Sequence, residues 1–101
     1  MSLNRVEQAV HEYISHHPEE RHFIQDKVRS LSTGAEGAPL AVARIDAMLW
    51  RYFEERSAIV PAFREDVRVH GARRMSMKNL AELFIRLWTE PKPKKPPAQQ
   101  G

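Results

Sequence analysis

The sequence predicts an all-α fold: a single small domain of about five helices packed around a central one. Three observations carry this. Apolar residues recur at three- and four-residue spacing in successive segments. Proline and glycine fall between those segments and not within them. The longest apolar run, Leu40 to Arg56, reads LAVARIDAMLWRYFEER and contains neither residue.

The first helix follows from Leu3, Val6, Val10, Tyr13, Ile14 and His17. Asn4 is placed to cap it, with Glu7 three residues on as in a capping box. It should end near His17, because Pro18 disfavours helical geometry in the residue before it. Pro18 then suits the first position of a second helix, PEERHFIQDKVRSL. Glu19 and Glu20 sit in its first turn, where the helix dipole favours negative charge. Its apolar face is Phe23, Ile24, Val28 and Leu31. Glu20 and Lys27 fall within that arc, so either their stems snorkel across the packing edge or Glu20 meets a cation from another helix. STGAEGA, from Ser32 to Ala38, is a connecting loop.

In the central helix, at about 100° per residue, Val42, Ile45, Leu49, Tyr52 and Phe53 share one broad face with the stem of Arg56. Arg44, Arg51 and Glu55 fall opposite, and Met48 and Trp50 lie at the margins. So wide an apolar face needs more than one neighbour, and the first, second and fifth helices are the expected ones. A short fourth helix should run from Pro61 to His70, with Phe63 and Val67 inward, Val60 packed just before it and Gly71 as its stop. An extended Asp66–His70 is the competing form, because Val67 and Val69 alternate. Ser76 resembles an N-cap for a fifth helix, MKNLAELFIRLWTE. Leu80, Phe84, Leu87 and Trp88 line its apolar face. The domain should span residues 1–90. Residues 91–101, PKPKKPPAQQG, have no apolar anchor and are expected to form a disordered basic tail.

Composition narrows the function classes. There is no cysteine among the 101 residues, which excludes disulfide scaffolds and thiol chemistry and fits a reducing, cytoplasmic setting. The N-terminal stretch lacks the basic leader and apolar core of a signal peptide, and no apolar run is long enough to span a bilayer. No phosphate-binding glycine loop, nucleophile elbow or HExxH motif is present. The paired acids Glu19-Glu20, Glu54-Glu55 and Glu65-Asp66 read as solvated helix faces. The expectation is a non-enzymatic protein without a cofactor.

His11, His16, His17 and His22 crowd the junction of the first two helices. Their spacings do not place two rings on one helix face, and no zinc pattern is present. No metal is expected there.

Charge is distributed unevenly. Residues 1–67 carry 8 Lys/Arg against 11 Asp/Glu, a net −3, whereas residues 68–101 carry 8 against 2, a net +6. A basic end on a balanced body points to a polyanion. Arg68, Arg73, Arg74 and Lys78 surround the predicted start of the fifth helix, and Lys92, Lys94 and Lys95 follow in the tail. Arginines beside a helix N-terminus suit phosphate, so these residues are the candidate contacts to DNA or RNA. Helix, glycine turn, helix is also the outline of a helix-turn-helix, although Gly71–Met75 is longer than its usual turn and the second helix is mostly apolar. The alternative is protein–protein interaction or homodimerisation. Phe84, Leu87 and Trp88 would then anchor a partner or second copy, and the tail would be solubilising.

Overall fold

The computed structural model describes residues 2–33, 37–71 and 73–89. Five helices, and no strands, are present among them: α1 (Arg5–Ser15), α2 (Pro18–Thr33), α3 (Ala38–Arg56), α4 (Pro61–His70) and α5 (Lys78–Trp88). The boundary at residue 90 and the tail with Lys92, Lys94 and Lys95 lie outside the described residues.

The Asn4–Glu7 capping box forms as its spacing predicts. Glu7 N–H donates to Asn4 Oδ1 and Asn4 N–H to Glu7 Oε1, both at 2.8 Å. α1 stops two residues before His17, whose Nδ1 lies 2.7 Å from the Tyr13 carbonyl oxygen and whose ring stacks on Tyr13. Asp66–His70 is helical, which settles the alternation of Val67 and Val69 in favour of α4. Gly71 ends that helix at φ +84°, a conformation that side chains disfavour, while its N–H bonds the Val67 carbonyl.

The core gathers Val6, Val10 and Ile14 of α1, Ile24 and Val28 of α2, Ile45, Leu49, Tyr52 and Phe53 of α3, Phe63 of α4, and Leu80 and Phe84 of α5. An aromatic chain crosses it. Trp50 meets Phe53 at 5.3 Å between ring centroids, Phe53 meets Phe63 at 5.0 Å, and Phe63 meets Tyr13 at 5.3 Å. Trp50, expected at the margin of α3, is buried. α2 and α5 pack on α3 and on each other. α1 packs chiefly on α2, α4 and α5, and α3 is not among its main neighbours, contrary to expectation. The ring of Phe63 meets Tyr13 of α1 and Phe53 of α3.

α5 is positioned by carboxyl groups from two other helices. Its first free N–H groups have no intrahelical acceptors. Asp46 of α3 accepts from Met77 N–H at 2.7 Å, and Glu7 of α1 accepts from Leu80 N–H at 2.9 Å. Glu7 is 0% exposed and also takes the Asn79 side-chain amide at 3.3 Å. Asn4 Nδ2 donates to the Ser76 carbonyl at 2.7 Å. The cap of α1 and the start of α5 are therefore one hydrogen-bonded unit. Ser76 is not the N-cap. Its hydroxyl accepts from Lys78 N–H at 3.1 Å, and Met77 holds the cap position because Asp46 binds its N–H.

Candidate interaction surface

The predicted basic residues are spread over α4, the α4–α5 connection and the start of α5. Arg68, on α4, is paired with Glu65 of the same helix. Arg73 is exposed in the α4–α5 connection. Arg74 bonds Asp46 at 3.1 Å and lies over the Trp50 ring, 5.4 Å from its centroid. Lys78 borders the same Asp46 in a small groove between α3 and α5. The N–H groups at the start of α5, read from the sequence as a phosphate cradle, are occupied by Glu7 and Asp46. An incoming phosphate would have to displace two carboxyl groups of the protein itself.

The predicted partner anchors also separate. Phe84 is 1% exposed and lies inside the core, stacked on Trp88 at 4.3 Å. Trp88 is half-buried against the same cluster, and only Leu87, 58% exposed, faces solvent. α5 has α1, α2 and α3 around it, so most of the apolar face that looked surplus in the sequence is consumed internally.

Nor do the histidines converge. His17 is held on Tyr13, His11 faces the Phe84 ring at 6.2 Å, and His16 and His22 are exposed. Among the described residues no three His, Asp or Glu side chains come together as a metal site would require.

A different surface emerges along the outer face of α3. There an open groove of about 740 Å³ runs between α2, α3 and the Arg74 segment. Its apolar lining includes Phe23 and Leu31 of α2 and Met48 of α3, none of them fully covered. Lys27, Arg44, Arg51 and Arg74 surround this lining, with Glu54 and Glu55 at the C-terminal end of α3. Arg44 and Arg51 are exposed and form no salt bridge among the described residues. They stand seven residues apart, two helical turns, and so share a face.

The end of the groove near Phe23 is fastened by a polar knot. Tyr52 Oη donates to Glu20 Oε1 at 2.7 Å and Arg56 Nε donates to the same oxygen at 3.1 Å. Glu20 thus meets a cation from another helix, the second of its two expected fates. Burial pushes the Glu20 carboxyl up, but the hydrogen bonds from Tyr52 and Arg56 and the Arg56 charge outweigh it, leaving its pKa below the ordinary 4.5. Burial, reinforced by the hydrogen bond to Glu20, raises the Tyr52 phenol well above its ordinary 10.0. The Arg56 guanidinium lies over both Tyr52 and Phe23, at 4.7 Å and 5.7 Å from the ring centroids. Lys27 lies over Phe23 at 5.6 Å. The aromatic faces here are already engaged by cations of the protein.

The charge balance along the sequence does not mark this surface. Lys27 sits in α2, far in sequence from the basic C-terminal third, and Arg44 and Arg51 belong to the half with net negative charge. Their signal was the i, i+7 spacing on the polar side of α3.

The class defined by the described residues is an all-α fold of five helices with a mixed apolar and cationic groove along α3. Comparison with protein-family models, with curated proteins and with solved structures gives no match for the chain. Among the described residues no helix is long and apolar enough to cross a membrane.

Proposed function

We propose that the chain is a non-enzymatic protein-interaction module that docks a segment of another protein in the groove along α3. One observation carries this: half-covered Leu31 and Met48 and exposed Phe23 lie beside exposed arginines with no ion-pair partner among the described residues. Met, aromatic and Arg side chains are the types enriched in protein interfaces, and an open groove between helices is where a partner helix lies. A cytoplasmic setting is consistent with the cysteine-free sequence. The nucleic-acid alternative has less support from geometry. Glu7 and Asp46 fill donors at the start of α5, and Arg68 and Arg74 are paired.

A displayed library of helical peptides tests the proposal. Selection on the full chain should yield ligands whose binding is lost on Met48→Glu, a change at a half-buried position on the groove. Ligands insensitive to Met48→Glu, with a fold unchanged by circular dichroism, would count against the groove. Selection that yields no ligand at all would do the same.

A further inference from the structure

We infer that the occupant of the α3 groove is an acidic amphipathic helix of about three turns, lying with its acidic end towards Arg44. This rests on the docking function proposed above and specifies the partner's chemistry.

Length sets the first limit. From Arg44 to Glu55 the groove follows α3 over 12 residues, about 16 Å at a helical rise of about 1.5 Å per residue. That matches about three turns of a partner helix, enough for apolar side chains at i, i+3, i+4 and i+7. Such a row would meet Leu31, Met48 and Phe23.

Charge sets the second limit. The groups facing the groove are not evenly mixed. Asp46 is held by Arg74 and Met77 N–H, and Glu20 by Tyr52 and Arg56. With these acids satisfied, Lys27, Arg44 and Arg51 remain as cations without a carboxylate partner among the described residues, and Glu54 and Glu55 as the acids. Arg44 lies in the N-terminal half of α3, Arg51 follows two turns later, and the two acids lie beyond both in its last turn. The groove is therefore electrically polar along its length. A partner with carboxylates opposite Arg44 and Arg51 and none opposite Glu54 and Glu55 is complementary in one direction only. A basic helix would place like charges together, which costs binding. Nucleic acid, uniformly charged along its backbone, would run its phosphates past Glu54 and Glu55.

The test uses the full chain and four labelled peptides of about 14 residues, each with the same Leu and Met row. One carries Glu in its N-terminal half and one carries Glu in its C-terminal half. One carries Gln throughout, and one carries Lys in place of Glu. Fluorescence anisotropy is read at low and moderate salt, with a single-stranded oligothymidine as a fifth ligand. The better acidic peptide should bind about tenfold tighter than the Gln peptide at low salt, and the Lys peptide weakest. Arg44→Glu with Arg51→Glu should invert the order, favouring the Lys peptide. These exposed positions carry no core packing, and an unchanged melting curve would verify the fold. Equal binding of the Glu and Gln peptides, both lost on Met48→Glu, would overturn the acidic preference and leave the docking function standing. Acidic-peptide binding unchanged by Arg44→Glu alone would overturn the direction. Binding of none of the peptides would overturn both inference and function. So would oligothymidine binding lost with Arg44 and Arg51 in the absence of peptide binding.

Discussion

At residue scale the most constrained side chain is Glu7. Its two oxygens accept from Asn4 N–H, Asn79 Nδ2 and Leu80 N–H, and it is sealed from solvent. Shortening it strands two backbone donors, one at the start of α1 and one at the start of α5. Each unsatisfied buried donor costs about 1–3 kcal/mol, so Glu7→Ala should lower stability by about 2–5 kcal/mol in urea unfolding. Glu7→Gln keeps the length but replaces one acceptor oxygen with a donor, which faces an N–H on at least one side. Its loss should fall between wild type and Glu7→Ala. If Glu7→Ala unfolds at the wild-type urea concentration, the shared cap of α1 and α5 contributes nothing. The capping box was legible in the sequence because Asn4 and Glu7 are three residues apart. The bond to Leu80 was not, because it joins positions separated by most of the chain. The same long-range pairing defeats the phosphate site imagined at the start of α5. A helix N-terminus is recognisable from sequence, but whether the protein fills it with its own carboxylates is decided by tertiary structure.

At the scale of elements, α3 has the interior role its periodicity predicts. Ile45 and Leu49 are both 0% exposed. Leu49→Ala should cost about 2–5 kcal/mol by loss of burial and the cavity left behind, measured as a shift in the urea midpoint without a change in slope. The pairing of α2 with α3 should depend on pH through the Glu20–Tyr52–Arg56 knot. Glu20 titrates lower in the folded chain than its ordinary 4.5, so the unfolded chain binds its proton first as pH falls. Its contribution is present above pH 4.5 and is lost as pH drops through that value towards the folded pKa. Tyr52 titrates above its ordinary 10.0, so its contribution is present below pH 10 and lost as pH rises beyond it. Tyr52→Phe removes the phenol and one of the bonds holding Glu20 ionised. A melting-temperature profile from acid to alkali should therefore be flatter at both ends in the variant, and an unchanged acid limb would mean Arg56 alone sets the Glu20 titration. Helix existence and order were legible because proline and glycine punctuate them. The fate of α5 was not. Its apolar face looked like surplus because a single sequence does not reveal how many neighbours a helix will have, and Phe84 proved to be core.

Across the whole molecule the two oppositely charged halves do not remain apart. Arg68, from the basic third, pairs with Glu65, and Arg74 crosses to Asp46 of α3 at 3.1 Å. Folding thus neutralises part of the C-terminal excess against acids of the N-terminal half, and the cations left open on α3 come from the nominally acidic half. This separates two kinds of anion binding by experiment. Any general attraction to duplex DNA should draw on Lys92, Lys94 and Lys95, fall steeply with added salt as counterions are released, and weaken on deletion of residues 91–101. Docking of an acidic helix should draw on Arg44, Arg51 and the apolar lining beside them, fall less with salt because Met48 and Leu31 contribute without charge, and survive that deletion. Anisotropy titrations of the full and shortened chains, each with duplex DNA and with the acidic peptide, should therefore give opposite patterns. The deletion should reduce DNA binding and spare the peptide, and Arg44→Glu with Arg51→Glu should abolish peptide binding and leave much of the DNA binding. If the same two arginines carry both ligands with the same salt slope, α3 presents a phosphate surface and the assignment of the groove to a protein partner fails.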